Sequence, residues 1–519
     1  MAVLEGAHFV AGRREVAGGE RFHAIDPRTG AELAPGFAEA SEEQIERACA
    51  AAAQADAAFA ASAPTERAEL LRAIADGIEG LGETLVDRVA AETALPPQRV
   101  LAERGRTCTQ LRQFADVAEQ DAWIEASIDR GDPERQPLPK PDLRRMNVPL
   151  GPVVVFGASN FPLAYSVAGG DTASALAVGC PVIVKAHPAH PGTSELVGDV
   201  IRVAVERLDL SAGVFSLLHG RSHATGAALV RHPVVKAVGF TGSHLGGRAL
   251  CDLAATRPEP IPVFAEMGSA NPVVVLPNAL RGRGVAIAEQ LAASSLLAQG
   301  QFCTSPGLVL WVDGHGGEAF RRTLRERMLG AEAGPTVHPT IRAGYERTLQ
   351  EVESLPIEVA RGTAKASAAT DVCPALLSAT PADLFANPRL RHELYGPAML
   401  TVACPSAADL LSIVEALDGH LTGTVHGDGD DFTSHAPLIA ALRRKVGRLI
   451  ANGVPTGVEV CPSMVHGGPY PAASDPRFSA VGSTSVRRWV RPVCWQDCPP
   501  DLLPPQLRTE PGTNNNLTG

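Results

Sequence analysis

Val153-Val154-Val155-Phe156-Gly157-Ala158-Ser159-Asn160-Phe161-Pro162 is a run of β-branched and aromatic residues that breaks off at a glycine and a polar amide. An apolar run this short, without polar alternation, suits a parallel strand covered by helices on both faces. Three similar runs follow at Val182-Ile183-Val184, Val214-Phe215-Ser216-Leu217-Leu218 and Val234-Val235-Lys236-Ala237-Val238. The intervals between them hold crossover helices, so the chain from residue 148 reads as a doubly wound α/β sheet able to take a nucleotide. A second series begins at Asn271-Pro272-Val273-Val274-Val275-Leu276 and continues at Leu308 to Val312, Ala398 to Val402 and Arg448 to Ala451. It predicts a second α/β lobe, with a helix from Gly284 to Gln299 and a cleft where the lobes meet. Upstream, Ser41-Glu42-Glu43-Gln44 opens a capped amphipathic helix, and helical patterns return at Arg67 to Ile78 and Glu83 to Ala94. The first hundred residues are therefore expected to be helical packaging. Residues 361–378 show no clear period, and residues 503–519, polar and rich in Pro and Asn, are expected to form a frayed tail.

With 519 residues, 45% hydrophobic and 20% charged, the chain is long enough for two or three packed domains. A formal net charge of -11 argues against a phosphate-backbone partner, so no nucleic acid is expected. No long uninterrupted apolar stretch and no leader-like start are visible, which predicts neither membrane insertion nor secretion and a cytoplasmic location. Ten scattered cysteines fit a reducing compartment. Cys494 and Cys498 lack a second pair to complete a tetrahedral set, and His392-Glu393 has Gly396 where a zinc helix needs its second His. No metal is read from the sequence.

The chemistry concentrates at five places. Gln299-Gly300-Gln301-Phe302-Cys303-Thr304-Ser305-Pro306 presents a thiol among small and polar residues, and Phe264-Ala265-Glu266-Met267-Gly268 supplies a carboxylate from another segment. Together they suit sulfur attack on a carbonyl followed by activation of water. Taken singly, Cys303 is as well explained as a structural thiol and Glu266 as a surface ion-pair acid. Asn160 offers an amide at a strand's carboxyl end, where it helps to hold an oxyanion or simply caps the next helix. Lys185 ends the second strand as a ribose or phosphate contact or as a solvated lysine. The turn Gly239-Phe240-Thr241-Gly242-Ser243-His244-Leu245-Gly246-Gly247 opens a helix whose N-terminus attracts a pyrophosphate, although it lacks the G-x-G-x-x-G form.

In chain order, Asn160, Lys185, Phe240-Thr241-Gly242-Ser243, Glu266-Met267-Gly268, Gly300-Gln301-Phe302-Cys303 and Glu393-Leu394-Tyr395-Gly396-Pro397 resemble the motifs of the aldehyde dehydrogenase superfamily, over about Gly6 to Pro499. The resemblance implies two α/β lobes and a small oligomerisation element. It divides the chain into residues 1–125 with 148–266 for cofactor binding, 267–465 for catalysis, 126–147 with 483–500 for oligomerisation, and a tail at 503–519. It implies Cys303 as nucleophile, Glu266 as base, and Asn160 with the Cys303 N–H as oxyanion hole. It further implies Lys185, Gly242, Ser243 and Gly247 as cofactor contacts, Glu393 as a ligand of the nicotinamide ribose, and a homo-oligomer, dimer or dimer of dimers.

Two departures from the family pattern bear on specificity. Pro188 stands where family members preferring NAD usually carry a glutamate, so NADP is expected to be accepted or preferred, with NAD as the other choice. Glu266-Met267-Gly268-Ser269-Ala270-Asn271-Pro272, His466-Gly467-Gly468-Pro469-Tyr470-Pro471 and Glu103-Arg104-Gly105-Arg106-Thr107 resemble the branch holding α-ketoglutaric semialdehyde (2,5-dioxopentanoate) dehydrogenase and an NADP-linked fatty aldehyde dehydrogenase. The oxo-acid aldehyde is the favoured small-molecule substrate, with Arg106 and Arg112 as candidate anchors for its far carboxylate. A cysteine hydrolase or acyltransferase, for which no His partner of Cys303 is identified, and a non-catalytic binding protein are the readings from other classes.

Overall fold

The computed structural model describes residues 4–314 and 316–508. Five parallel strands stand in the spatial order Val263–Glu266, Ala237–Thr241, Val153–Phe156, Val182–Lys185 and Phe215–Leu218. The chain starts in the middle, moves one way for three strands and then returns to the other side. The order reverses between Val153–Phe156 and Ala237–Thr241, and at such a reversal the following loops diverge and leave a crevice. Asn160 and Ser243 follow those two strands directly.

A second seven-stranded sheet runs Glu358–Arg361, Ala375–Ala379, Ala398–Cys404, Leu308–Val312, Val273–Val275, His420–His426 and Val446–Ala451, parallel except at its first strand. The protein is thus a two-lobed α/β molecule. Each sheet is covered on both faces, and the central strands Val153–Phe156 and Val182–Lys185 are buried throughout. A smaller antiparallel sheet joins Val490–Gln496, Leu143–Pro149 and Ser127–Asp129.

Four expectations need correction. Residues 4–40 hold no helix: Ala7–Val10 and Arg13–Val16 form a hairpin that extends the first sheet, and Arg21–Ile25 pairs with Glu32–Ala38. The hairpin turns on Ala11 and Gly12, both at positive φ, the geometry that matches strand twist in a two-residue loop. Ser41 does cap the next helix, Glu42–Ala60, in a reciprocal box with Gln44. The helix expected from Gly284 begins at Pro277 and ends at Leu296, because Pro277 serves as its first residue and Ala298 and Gln299 adopt left-handed conformations. Cys303 therefore sits in a kinked loop beyond the helix. Residues 361–378 take in the strand Asp371–Val372 and most of the strand Ala375–Ala379, both too short to show a period. Leu503 and Leu507 are buried against the first lobe, so the expected tail does not begin at 503; residues 509–519 lie outside the described part.

Candidate active site

A cleft of about 550 Å³ opens at the reversal point and collects Asn160, Gly242, Ser243, Glu266, Cys303 and Glu393 on its walls. Five separate segments deliver them. Asn160 and Ser243 come from the loops after two adjacent strands, Glu266 is the last residue of Val263–Glu266, and Cys303 follows the kink. Glu393 arrives from the second lobe, just before the Ala398–Cys404 strand.

Cys303 Sγ lies 3.5 Å from His466 Nε2, and that same nitrogen is 3.0 Å from Glu266 Oε2. His466 and Glu266 are 1% and 4% exposed, and neither carboxylate oxygen of Glu266 has an aligned hydrogen-bond donor, the imidazole contact included. Burial first, then the charges of Glu266 and Glu393, push the Cys303 thiol well above its ordinary range, with Arg106 acting in the opposite sense. A basic nitrogen beside such a thiol is the natural place for its proton.

The loop bearing the thiol is pinned from below. Asn271 Nδ2 donates to the carbonyls of Cys303 and Ser305 at 2.9 Å each and of Ser269 at 3.0 Å. Its Oδ1 accepts from the hydroxyls of Ser269 and Thr422. On the other side, Asn160 Nδ2 donates to the Gln301 carbonyl at 2.9 Å, which aims the amide along the same loop and leaves its second N–H for another acceptor.

The nucleotide side fits a dinucleotide. Ser243 caps the helix His244–Ala255 by accepting from the Gly246 N–H, so the positive end of that helix faces the cleft. Gly247 lies behind the wall, where a Cβ would come within 2.6 Å of Met267 Sδ. Lys185 is nine-tenths buried and makes no hydrogen bond or ion pair among the described residues, and burial lowers its pKa to about 8. An ammonium held dry and without a direct ion-pair partner is what a ribose or phosphate ligand would complete. Glu393 is raised to about 8, chiefly by burial, and a Cβ at Gly268 would come within 2.2 Å of its Oε2, so the glycine is what admits it.

The two arginines separate. Arg106 Nη2 donates to the Tyr165 hydroxyl at 3.1 Å, its guanidinium lies 5.4 Å from the Tyr165 ring centroid, and its Nε is buried without a partner. Tyr165 in turn lines the cleft and stands 6.0 Å, ring to ring, from His466. Arg112 does not join the site: it is exposed, with its guanidinium bound to Glu79 and Asp76. It lies six residues beyond Arg106 on the helix Pro97–Gln120, which turns it to another face.

A sequence profile described as the aldehyde dehydrogenase family matches residues 14–468. The chain belongs to the aldehyde dehydrogenase family. It is 50% identical over 508 residues to alpha-ketoglutaric semialdehyde dehydrogenase 2 of Azospirillum brasilense, covering 98% of this chain and 96% of that one. It is 40% identical to the alpha-ketoglutaric semialdehyde dehydrogenase of Acinetobacter baylyi, covering 98% and 97%. Among solved structures, an NADP-dependent glyceraldehyde-3-phosphate dehydrogenase from Bacillus halodurans superposes with a TM-score of 0.80 at 20% identity, covering 95% of this chain and 99% of that one. At that identity the likeness shows the fold.

For an NAD(P)-dependent aldehyde oxidoreductase of this family, two residues in contact with the Cys303 loop escape a reading of the sequence. His466 stands in the sequence only as part of a branch-like stretch, and a single histidine 163 residues from its cysteine carries no spacing signal. Asn271 looked like one more substitution after Glu266. The sequence identifies no His partner for Cys303, yet the structure puts His466 Nε2 3.5 Å from its thiol, so family membership, and not a missing imidazole, decides between hydrolase and dehydrogenase.

Proposed function

We propose that this aldehyde dehydrogenase oxidises 2,5-dioxopentanoate to 2-oxoglutarate through a thioester on Cys303. The observation that carries the proposal is that the Cys303 thiol and the Glu266 carboxylate, both on the cleft wall, meet at one nitrogen of the buried His466 imidazole. The 50% and 40% identical relatives, both named for that semialdehyde, support the substrate.

His466 Nε2 takes the thiol proton, and the thiolate attacks the aldehyde carbon. The free N–H of Asn160 and the Cys303 backbone N–H stabilise the resulting oxyanion. A bound nicotinamide dinucleotide supplies the hydride acceptor, held by Lys185, Gly242, Ser243 and Glu393, with Gly247 allowing close packing of the helix behind it. Glu266 then activates the water that releases the carboxylate. Arg106, with an unpartnered Nε beside the aromatic wall, anchors the far carboxylate of the substrate.

NADP is the preferred acceptor. Pro188 supplies no acid near Lys185 to repel a 2′-phosphate. Glu39 does act on Lys185, but its oxygens already accept from the Arg221 and Ser222 N–H groups and the Thr225 hydroxyl. The enzyme works in the cytoplasm as a homo-oligomer joined through the three-stranded sheet.

Assay of the purified enzyme against 2,5-dioxopentanoate, succinic semialdehyde and a long-chain aldehyde, each with NAD and NADP, tests both choices. The expected result is the highest kcat/KM for 2,5-dioxopentanoate with NADP. A preference for the long-chain aldehyde overturns the substrate, and a preference for NAD overturns the cofactor.

A further inference from the structure

We infer that Cys303, His466 and Glu266 form a three-ligand site for a zinc-class divalent cation, which shuts the enzyme off reversibly. Their Sγ, imidazole nitrogen and carboxylate oxygen all lie within 4.8 Å of one another. Bonds of about 2.3 Å to sulfur and about 2.0 Å to nitrogen and oxygen at tetrahedral angles put S and N about 3.5 Å apart, and N and O about 3.3 Å apart. The observed separations are 3.5 and 3.0 Å.

The donor set of one thiolate, one imidazole and one carboxylate suits zinc and not magnesium or calcium, which take oxygen ligands. Charge agrees with geometry. A thiolate and a carboxylate buried side by side repel, and a dication neutralises both. Glu266, 4% exposed, has no aligned donor on either oxygen, which leaves its lone pairs open to an ion. Cys303 and Glu266 line the open cleft, which gives the ion its route and leaves a fourth coordination position for water. Glu266 and His466 lie 37 and 163 positions from Cys303, so no local ligand spacing marks them in the sequence.

Binding exchanges the Cys303 thiol proton for the ion and ties up the sulfur lone pair that would attack the aldehyde. No electron is transferred, and a chelator restores the thiol.

Titration of the full-length enzyme with Co2+, free of cofactor and substrate, tests the site. The expected result is one ion per chain, an intense near-ultraviolet thiolate-to-cobalt charge-transfer band and the visible bands of four-coordinate cobalt. Cys303→Ser should abolish the charge-transfer band, and His466→Gln and Glu266→Gln should each weaken binding by tenfold or more, with circular dichroism confirming that the variants are folded. Zn2+ should displace Co2+ and abolish thiol alkylation by iodoacetamide until a chelator is added. Cobalt binding without the charge-transfer band, or equally tight in Cys303→Ser, overturns the inference. None of these readouts involves an aldehyde, so a wrong substrate assignment leaves them intact.

Discussion

Glu266 and Lys185 show how burial prepares single side chains for ligands. Glu266 is dry, and its nearest base is the His466 imidazole. If its role is to activate water for thioester release, Glu266→Gln should preserve one rapid turnover of hydride transfer while slowing steady-state turnover by about 100-fold or more. Stopped-flow absorbance separates the two phases, and an unaltered steady state removes the role. Lys185 falls from the ordinary 10.5 to about 8 through burial. Between those values the unfolded chain holds this proton and the folded protein does not, so stability from this group rises with pH there. Cofactor binding uses the charged form, so affinity for NADP should decline as pH passes above about 8. Fluorescence titration at several pH values should show this in the wild type and a flatter profile in Lys185→Met.

At the scale of elements, two loops and a helix end hold the site. Asn271 fixes the nucleophile loop through two of its carbonyls, those of Cys303 and Ser305, and stands at positive φ, where an amide side chain is tolerated. Asn271→Ala frees those carbonyls and should lower the rate of Cys303 alkylation by iodoacetamide together with kcat, whereas a purely structural role would lower the melting temperature and leave the rate of the folded fraction unchanged. Gly268 is the seat of Glu393. Gly268→Ala should therefore raise KM for the cofactor by tenfold or more with a smaller effect on kcat, measured by steady-state kinetics. These elements were unequally legible. The parallel strands announced themselves as apolar runs, as did the capped helix at Ser41. The hairpin over residues 7–16 did not, because four-residue strands with mixed exposure in the second show no period.

Over the whole molecule, two sheets meet at a cleft and a third, small sheet stands apart from it, with Val490–Gln496 and Ser127–Asp129 at its edges. Edge strands present unpaired backbone groups that a second copy can satisfy. Sedimentation velocity should find a dimer or a dimer of dimers, and a monomer at micromolar concentration removes the proposed role of this sheet. Among the described residues no helix is long and apolar enough to cross a membrane. The sequence alone determined the doubly wound lobe, the thiol, the acid and the amide, because apolar runs, turn glycines and the order of short motifs are local properties of a chain. Only the tertiary structure decided that His466 joins Cys303 and Glu266, that Asn271 holds the loop, and that Arg106 packs on Tyr165 of the cleft wall while Arg112 turns to solvent. Those facts depend on distances between segments far apart in the chain and on the rotation of a helix against its neighbours, and neither is written in residue spacing.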